Sequence, residues 1–599
     1  MSFQSHTAPF ALRILAITGV LSALSACSSP TEQSRALVPA LSCNASAAPS
    51  QSETSIAGLT LMGRYVADAP FATSAAEIVK YDACTDQLFV VNAQAKNVDV
   101  LTLSQDHAPS LKTQLDLQQA ATHAGIEIGA ANSVSTHQGW VAVAIENSIK
   151  QEAGIIALYR GDTFELLTTF PAGALPDMVS FSKDGRYIAA ANEGEPNSDY
   201  SVDPEGSVTL IDLSTGYQNA IVTQIGFTDF NEGGVRHDEL DSDVRLSAPG
   251  ASVAQDLEPE YLAFDDKGQL FVALQENNAL AKIDVATRRV EAIYGLGGKS
   301  WSTATLDASN KDKRLGHFQS YPQLVGLYMP DSIATYSVDG VSYIVTANEG
   351  DGREYGFDST QQQCDSKGYQ WDGDDYSGTA DYGSKVEFCI AYSDELRGKK
   401  LKVSDDHPLA LALKDNQQLA RLKVIDPGKT LQKDEVVEAF GARSFSIWNE
   451  QGERVYDSGD QFAQIVFATQ PENFNSTNDN NDSADDRSDD KGVEPEAIEV
   501  AQINGRHYAF IGLERQGGIM VYDVTDPSDA MFLHYVNPRD FNQPVCTKVD
   551  EGECDNETYN PKAGDLGPES IHYFTRAGEH FIAVGNEVSG TTSIFHIDL

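Results

Sequence analysis

Acidic residues recur at two fixed places along this chain. The first place precedes a short strand rich in β-branched and aromatic residues: Glu77, Asp177, Glu260, Asp331, Glu496 and Glu569, with Asn132 in the copy that lacks an acid. The second closes the strand that follows: Glu146, Glu193, Glu276, Glu349, Glu514 and Glu587, with Asn92 in the remaining copy. If those strands line a common axis, each place becomes a ring. Carboxylates converging in a narrow channel repel one another unless they are protonated or hold a cation. Oxygen donors without a cysteine or histidine cluster suit Ca²⁺ or Mg²⁺ better than zinc. The expected ligands of a divalent cation, Ca²⁺ first, are Glu193, Glu195, Glu260, Glu349, Asp351, Glu496, Glu514 and Glu587. A plainer reading competes, in which each acid caps its own turn by accepting from backbone N–H groups. Six acids at each place favour the cation.

Two loops concentrate the same chemistry. Glu193-Gly-Glu195-Pro-Asn197-Ser-Asp199 runs on to Asp203 and Glu205, and Glu349-Gly-Asp351-Gly-Arg353-Glu354-Tyr355 adds an arginine among the acids. Both leave the end of a strand, so both are expected to overhang one channel mouth. Arg353 and Arg515 are the candidates to clamp a phosphate or other anion there. The run Asn478 to Asp490 lacks the ordered aspartates, glycine and closing glutamate of an EF-hand loop.

The elements that position these residues repeat. Pro176-Asp177-Met-Val-Ser-Phe, a turn at Asp184-Gly-Arg, then Tyr187-Ile-Ala-Ala-Ala-Asn-Glu193 makes one copy. Others begin at Glu77, Asn132, Pro259, Pro330, Pro495 and Pro568, each followed by a third strand such as Ser207–Leu213 or Gly518–Val524. Short alternating strands in units of about 40–50 residues are the pattern of propeller blades. The reading is all-β: a seven-bladed β-propeller over residues 56–599. The last unit has three strands before Leu599, and Leu59–Val66 is expected to supply the fourth and close the ring. Residues 351–493 are expected to form a long insertion between blades five and six, either a functional loop or an acidic linker, with a helical piece from Pro408. Ser444–Trp448 and Arg454–Asp457 could found an eighth blade; they are read as outer strands of the fifth or sixth unit.

Composition and the N-terminus place the chain. A net charge of −46 leaves nothing to neutralise nucleic-acid phosphates. Arg13 precedes an apolar run, Ile14–Ala26, which as a helix reaches only about 20 Å and so falls short of a membrane span. It reads as a signal peptide, residues 1–26. Leu24-Ser-Ala-Cys27 resembles a lipobox, which implies lipidation of Cys27 and an outer-membrane anchor, because Ser28 follows instead of aspartate. Residues 27–55 then form a flexible tether. Six further cysteines suggest disulfides in an oxidising compartment: Cys43 with Cys84, Cys364 with Cys389, and Cys546 with Cys554.

Asn192-Glu-Gly-Glu-Pro-Asn197, Asp256-Leu-Glu-Pro-Glu260, Ala347-Asn-Glu-Gly-Asp-Gly-Arg-Glu-Tyr355, Arg487-Ser-Asp-Asp-Lys-Gly492 with Glu494-Pro-Glu496, and Gly567-Pro-Glu-Ser570 together resemble the choice-of-anchor I family, over residues 56–599. That family is similar to mesenchyme-specific cell-surface glycoproteins, and the resemblance implies a propeller held at the cell surface or envelope. Two functions follow as expectations. One is a surface binding protein for an unknown ligand, with a cation in its channel. The other is a metal-dependent phosphoester hydrolase, since members are sometimes labelled alkaline phosphatase; Glu193, Glu195, Glu260, Glu349, Asp351 and Glu496 would hold its metal and Arg353 or Arg515 a small phosphorylated molecule. No serine or threonine stands in a nucleophile motif, no catalytic residue is nominated, and His237, His317, His507 and His572 read as structural. Binding is the favoured reading.

Overall fold

The computed structural model describes residues 55–248, 250–371, 387–550, 553–554 and 558–599. Cys27, Cys43 and the residues read as signal and tether, up to Thr54, lie outside them. The fold is all-β. Seven sheets among the described residues are four-stranded, with antiparallel neighbours and first strands at Val79–Asp82, Ile128–His137, Pro176–Phe181, Leu262–Phe264, Ile333–Val338, Pro495–Ile503 and Pro568–Arg576. Each first strand packs against the first strand of the next sheet, and the seventh packs against the first. The sheets therefore stand in a ring around an axis lined by these strands.

The second strands show why the sequence folds this way. Trp140–Asn147 is buried along its whole length. Side chains alternate across a strand, so Val141, Val143 and Ile145 join the core shared with the first sheet, while Trp140, Ala142 and Ala144 join the core shared with the third. A strand packed on both faces has no polar side, which accounts for the unbroken apolar runs.

Closure uses the expected strand. Gly58–Val66 pairs antiparallel with Thr591–Asp598, Gly58 lying opposite Asp598, and Thr60 Oγ1 donates to Asp598 Oδ2 at 2.7 Å. The long excursion is placed differently from the sequence reading. It does not separate two complete sheets, because Ser444–Asn449 pairs with Val341–Asn348 and Arg454–Asp457 with Ser444–Asn449 as third and fourth strands of the fifth sheet. The excursion thus opens inside that sheet. It carries a three-stranded sheet, Glu354–Ser359, Glu387–Ser393 and Gln370–Trp371, and contributes strands to a five-stranded one. The helical piece expected from Pro408 is a single turn, Ala412–Lys414, whose approach buries Leu409 and Leu413. The Asn478–Asp490 run is no loose linker: Asn478, Ser488, Asp489 and Asp490 are buried. The disulfides Cys364–Cys389 and Cys546–Cys554 are present; the partner assigned to Cys84 lies outside the described residues.

Candidate functional site: an acidic channel

The Asn-Glu pair that ends several second strands divides two tasks. Asn192 is buried and its Nδ2 donates to Ser207 and Thr209, while Gly173 N donates to its Oδ1 at 3.0 Å. Asn348 does the same with Ser444 and Ser446. The asparagine locks the strand end, and the next residue, Glu193 or Glu349, turns toward the axis. Gly350, after Glu349, has φ +86° and a Cβ there would collide with the Gly441 backbone, so this turn accepts only glycine.

Glu77, Asp177, Glu193, Glu260, Asp331 and Glu569, with Asn132, line one axial cavity of about 220 Å³. First-strand residues of all seven sheets enclose a second cavity, of about 300 Å³, whose polar groups include Lys80, Glu499 and His572. Tyr261 and Met178 border both. The axis is thus acidic on one side of Tyr261 and mixed on the other.

Burial dominates the acidic half. It pushes Glu77 up to about 9, helped by Asp177 and Glu587, and Asp177 up to about 7, helped by Glu146. Glu193, Glu260, Asp331, Glu496 and Glu569 are raised well above the usual carboxylate range, first by burial and then by neighbouring acids, Asp177, Glu276, Glu349, Glu514 and Glu587 respectively foremost. Glu276, Glu349 and Glu514 rise to about 7, again chiefly by burial, with Arg353, Lys491 and Arg515 respectively opposing. His572, in the other half, is pushed down to about 3 by burial and by Lys80.

Oxygens of Asp331, Glu349 and Glu496 all lie within 4.8 Å of one another. At an effective dielectric of 20 each ionised pair would repel by about 3.5 kcal/mol or more, so three charges cannot coexist there unaided. Glu496 is 8% exposed and its Oε2 has no hydrogen-bond partner; Glu260 Oε2 is likewise unpartnered. A second triad, Glu349, Glu494 and Glu514, is equally close but already holds cations. Glu494 receives Arg487 at 2.6 Å, Arg515 at 3.1 Å and Lys491 at 3.5 Å. Against the burial that would raise it, these three keep Glu494 well below the usual range.

The other expected ligands are spread around these two groups. Glu195 faces Lys150 at 3.4 Å, Asp351 is 54% exposed and 3.4 Å from Lys491, Glu514 accepts from Asn478 and pairs with Arg515 at 3.0 Å, and Glu587 accepts from Ser74. Turn capping is the arrangement at Asn92, which accepts from Ala95 N, whereas Glu146 accepts from Ala130 N of the strand it pairs with. Neither arginine is free for an anion. Arg353 is a buried strut, with Nη1 on Asp256, Nη2 3.1 Å from Glu258 and its side chain 1% exposed. Its expected place at the mouth fails because Asp256 and Glu258, from the Asp256–Glu260 segment, draw it inward. Arg515 is committed to Glu494, Glu514 and Asn478. Lys491, Glu494 and Glu258 were missed as site residues; the only signal for them was their place in the motifs of Asp256–Glu260 and Arg487–Glu496.

Among the described residues no helix is long and apolar enough to cross a membrane. Among curated proteins the chain is 27% identical over 348 residues to a mesenchyme-specific cell surface glycoprotein of Strongylocentrotus purpuratus, covering 52% of this chain and 41% of that protein. It is 27% identical over 168 residues to gigasin-3a of Magallana gigas, covering 26% and 57%. The chain spans about half the length of the curated relatives it matches. Of solved structures, hydrazine synthase of Kuenenia stuttgartiensis superposes with a TM-score of 0.43 at 9% identity, over 89% of this chain and 99% of that one. The β-propeller domain of Myceliophteria thermophila Cps50 gives 0.39 at 7% identity, over 90% and 99%. Residues 77–527 match the model of the choice-of-anchor I domain, and the chain belongs to the choice-of-anchor I family.

Proposed function

We infer that this chain is a seven-bladed propeller at the cell envelope, held by a lipid on Cys27, that works as a binding protein and keeps a divalent cation in its channel. The surface location draws on the family and on the cell-surface name of the sea-urchin relative. The observation that carries the cation is the triad Asp331, Glu349 and Glu496, with the buried Oε2 of Glu496 lacking any partner. Hard oxygen donors from two neighbouring blades suit Ca²⁺, and a cation there ties the fifth and sixth sheets together at the axis. Binding to the folded state alone stabilises a protein by mass action.

The test is calorimetric titration of EDTA-treated protein with Ca²⁺, Mg²⁺ and Mn²⁺, with thermal melting beside it. The expected result is saturable binding with a raised melting temperature, both abolished by Glu496→Gln with Asp331→Asn. A wild-type chain that binds none of these ions sinks the cation. A phosphoester panel run on the loaded protein decides the hydrolase reading, and metal-restored turnover lost in the double variant would replace the binding role.

A further inference from the structure

Three residues after each member of the first ring, the chain sets another residue on the axis. Glu499, His572 and Lys80 hold this position on the sixth, seventh and first sheets, which are consecutive around the ring. On the other four sheets it is filled by Ser135, Ser180, Ala263 and Ala334. All seven line the cavity of about 300 Å³ that Met178 and Tyr261 part from the acidic half. That volume is at the small end of ligand pockets. The layer is lopsided, so room for a solute lies against the small residues, across the axis from the charged ones.

The two full charges of the layer are unmatched. Burial lowers Lys80 and raises Glu499 to about 7, and each opposes the other's shift. Yet among the described residues neither joins an ion pair, and Lys80 Nζ has no hydrogen bond. The first strand of the seventh sheet, with His572, stands between theirs in the ring order. Both side chains are partly exposed at the cavity wall, so a solute reaches them. The second lysine of the wall, Lys183, is exposed and already held by Asp266. His572, driven down to about 3 by burial and by Lys80, is neutral and offers one ring N–H and one acceptor. Ser135 Oγ accepts from Phe181 N at 3.1 Å and keeps its own hydrogen to donate. An ionised group taken from water without a partner is costly, so partners for Lys80 and Glu499 are favoured there.

Ligands of one charge are each opposed. A cation that meets Glu499 meets Lys80 as well, an anion that meets Lys80 also meets Glu499, and a single carboxylate with a lysine facing the same space makes a poor metal site. A molecule that carries both charges is complementary to both groups at once, and the small volume limits it to a short side chain. We propose that this cavity takes a small zwitterion of the α-amino-acid type, with its carboxylate on Lys80, its ammonium on Glu499 and its side chain toward Ala263 and Ala334. The site gives the binding role a ligand and does not rest on the cation in the acidic half.

The experiment titrates the purified chain calorimetrically in EDTA with glycine, L-alanine and L-serine, and with acetate and methylamine as the two half-ligands. At least one amino acid is expected to bind saturably, and both half-ligands at least tenfold more weakly. Lys80→Met and Glu499→Gln are each expected to weaken binding at least tenfold with the cooperative melt intact, since neither group belongs to an ion pair. Ala334→Leu keeps both charges and fills the opposite wall; it is expected to abolish binding, and it carries the test if a charge variant does not fold. No saturable binding of any amino acid, a half-ligand that binds as tightly as the amino acid, or binding that survives Ala334→Leu overturns the proposal. Binding that appears only after Ca²⁺ is added overturns it too. A chain that takes an amino acid in EDTA but no divalent ion keeps this site and loses only the cation.

Discussion

Lys491 Nζ lies 2.6 Å from Glu349 Oε1, with both side chains less than a tenth exposed. The connection between the fifth and sixth sheets thereby places a positive charge against a carboxylate that closes a strand of the fifth. Lys491 also stands 3.5 Å from Glu494, so it links the ion-pair hub to the channel carboxylates.

Replacing it tests that link. Lys491→Met leaves Glu349 and Glu494 buried with one cation fewer, and breaking a buried pair typically costs about 3–5 kcal/mol. In chemical denaturation the metal-free variant is expected to lose that amount, and added Ca²⁺ is expected to recover more of it than it adds to the wild type.

Arg353 gives the contrasting case. Arg353→Met strips the partner from Asp256 and Glu258, again at about 3–5 kcal/mol, and Ca²⁺ is expected to recover little. Denaturation with and without the ion measures both. A variant of wild-type stability that loses ligand binding instead would restore Arg353 as a binding residue.

The channel carboxyls predict a pH dependence with a definite sign. Glu77 and Asp177 rise from ordinary values of 4.5 and 3.8 to about 9 and about 7, so the folded chain holds their protons more tightly than the unfolded chain. Stability is then fully expressed below about pH 4 for these groups and is lost as pH rises through 7 toward 9. Melting temperatures in EDTA are expected to fall over that range, and a saturating cation is expected to flatten the fall. A metal-free melting temperature that climbs from pH 6 to 9 contradicts the buried-ring picture.

Deleting residues 56–67 removes the strand that pairs with Thr591–Asp598 and exposes that edge. Circular dichroism and light scattering are expected to show an unfolded or aggregating chain.

Cys27→Ser has the opposite signature. The melting temperature should stay unchanged, while fractionation should move the chain from membrane to soluble fraction and acyl labelling should disappear. Retention in the membrane would remove the lipid-anchor proposal.

The repeats were legible because Pro-acid and Asn-Glu sit at strand ends, where local turn chemistry and a fixed orientation to the axis coincide. Asp331, Glu349 and Glu496 could be named on that basis alone. The interrupted fifth sheet was legible in part: Ser444–Trp448 and Arg454–Asp457 read as outer strands of the fifth or sixth unit, but that Asn348 pairs opposite Ser444 was not, since no local pattern announces a partner across so many residues. The role of Arg353 was hidden for a related reason. Its motif shows acids beside it in the chain, yet its partners Asp256 and Glu258 come from the connection before the fourth sheet. Types and spacing report which face a residue takes, and they do not report what waits there.

The pairing of Gly58 with Asp598 also bears on the order in which the molecule can form. The opening strand has no partner until the final strand is made, and the fifth sheet holds half its ladder in reserve while its excursion is completed. Such distant pairings slow folding because loop closure precedes any reward from contact. Closure of the ring is thus a late event, and a partly synthesised chain must keep two open edges from meeting other chains in the meantime.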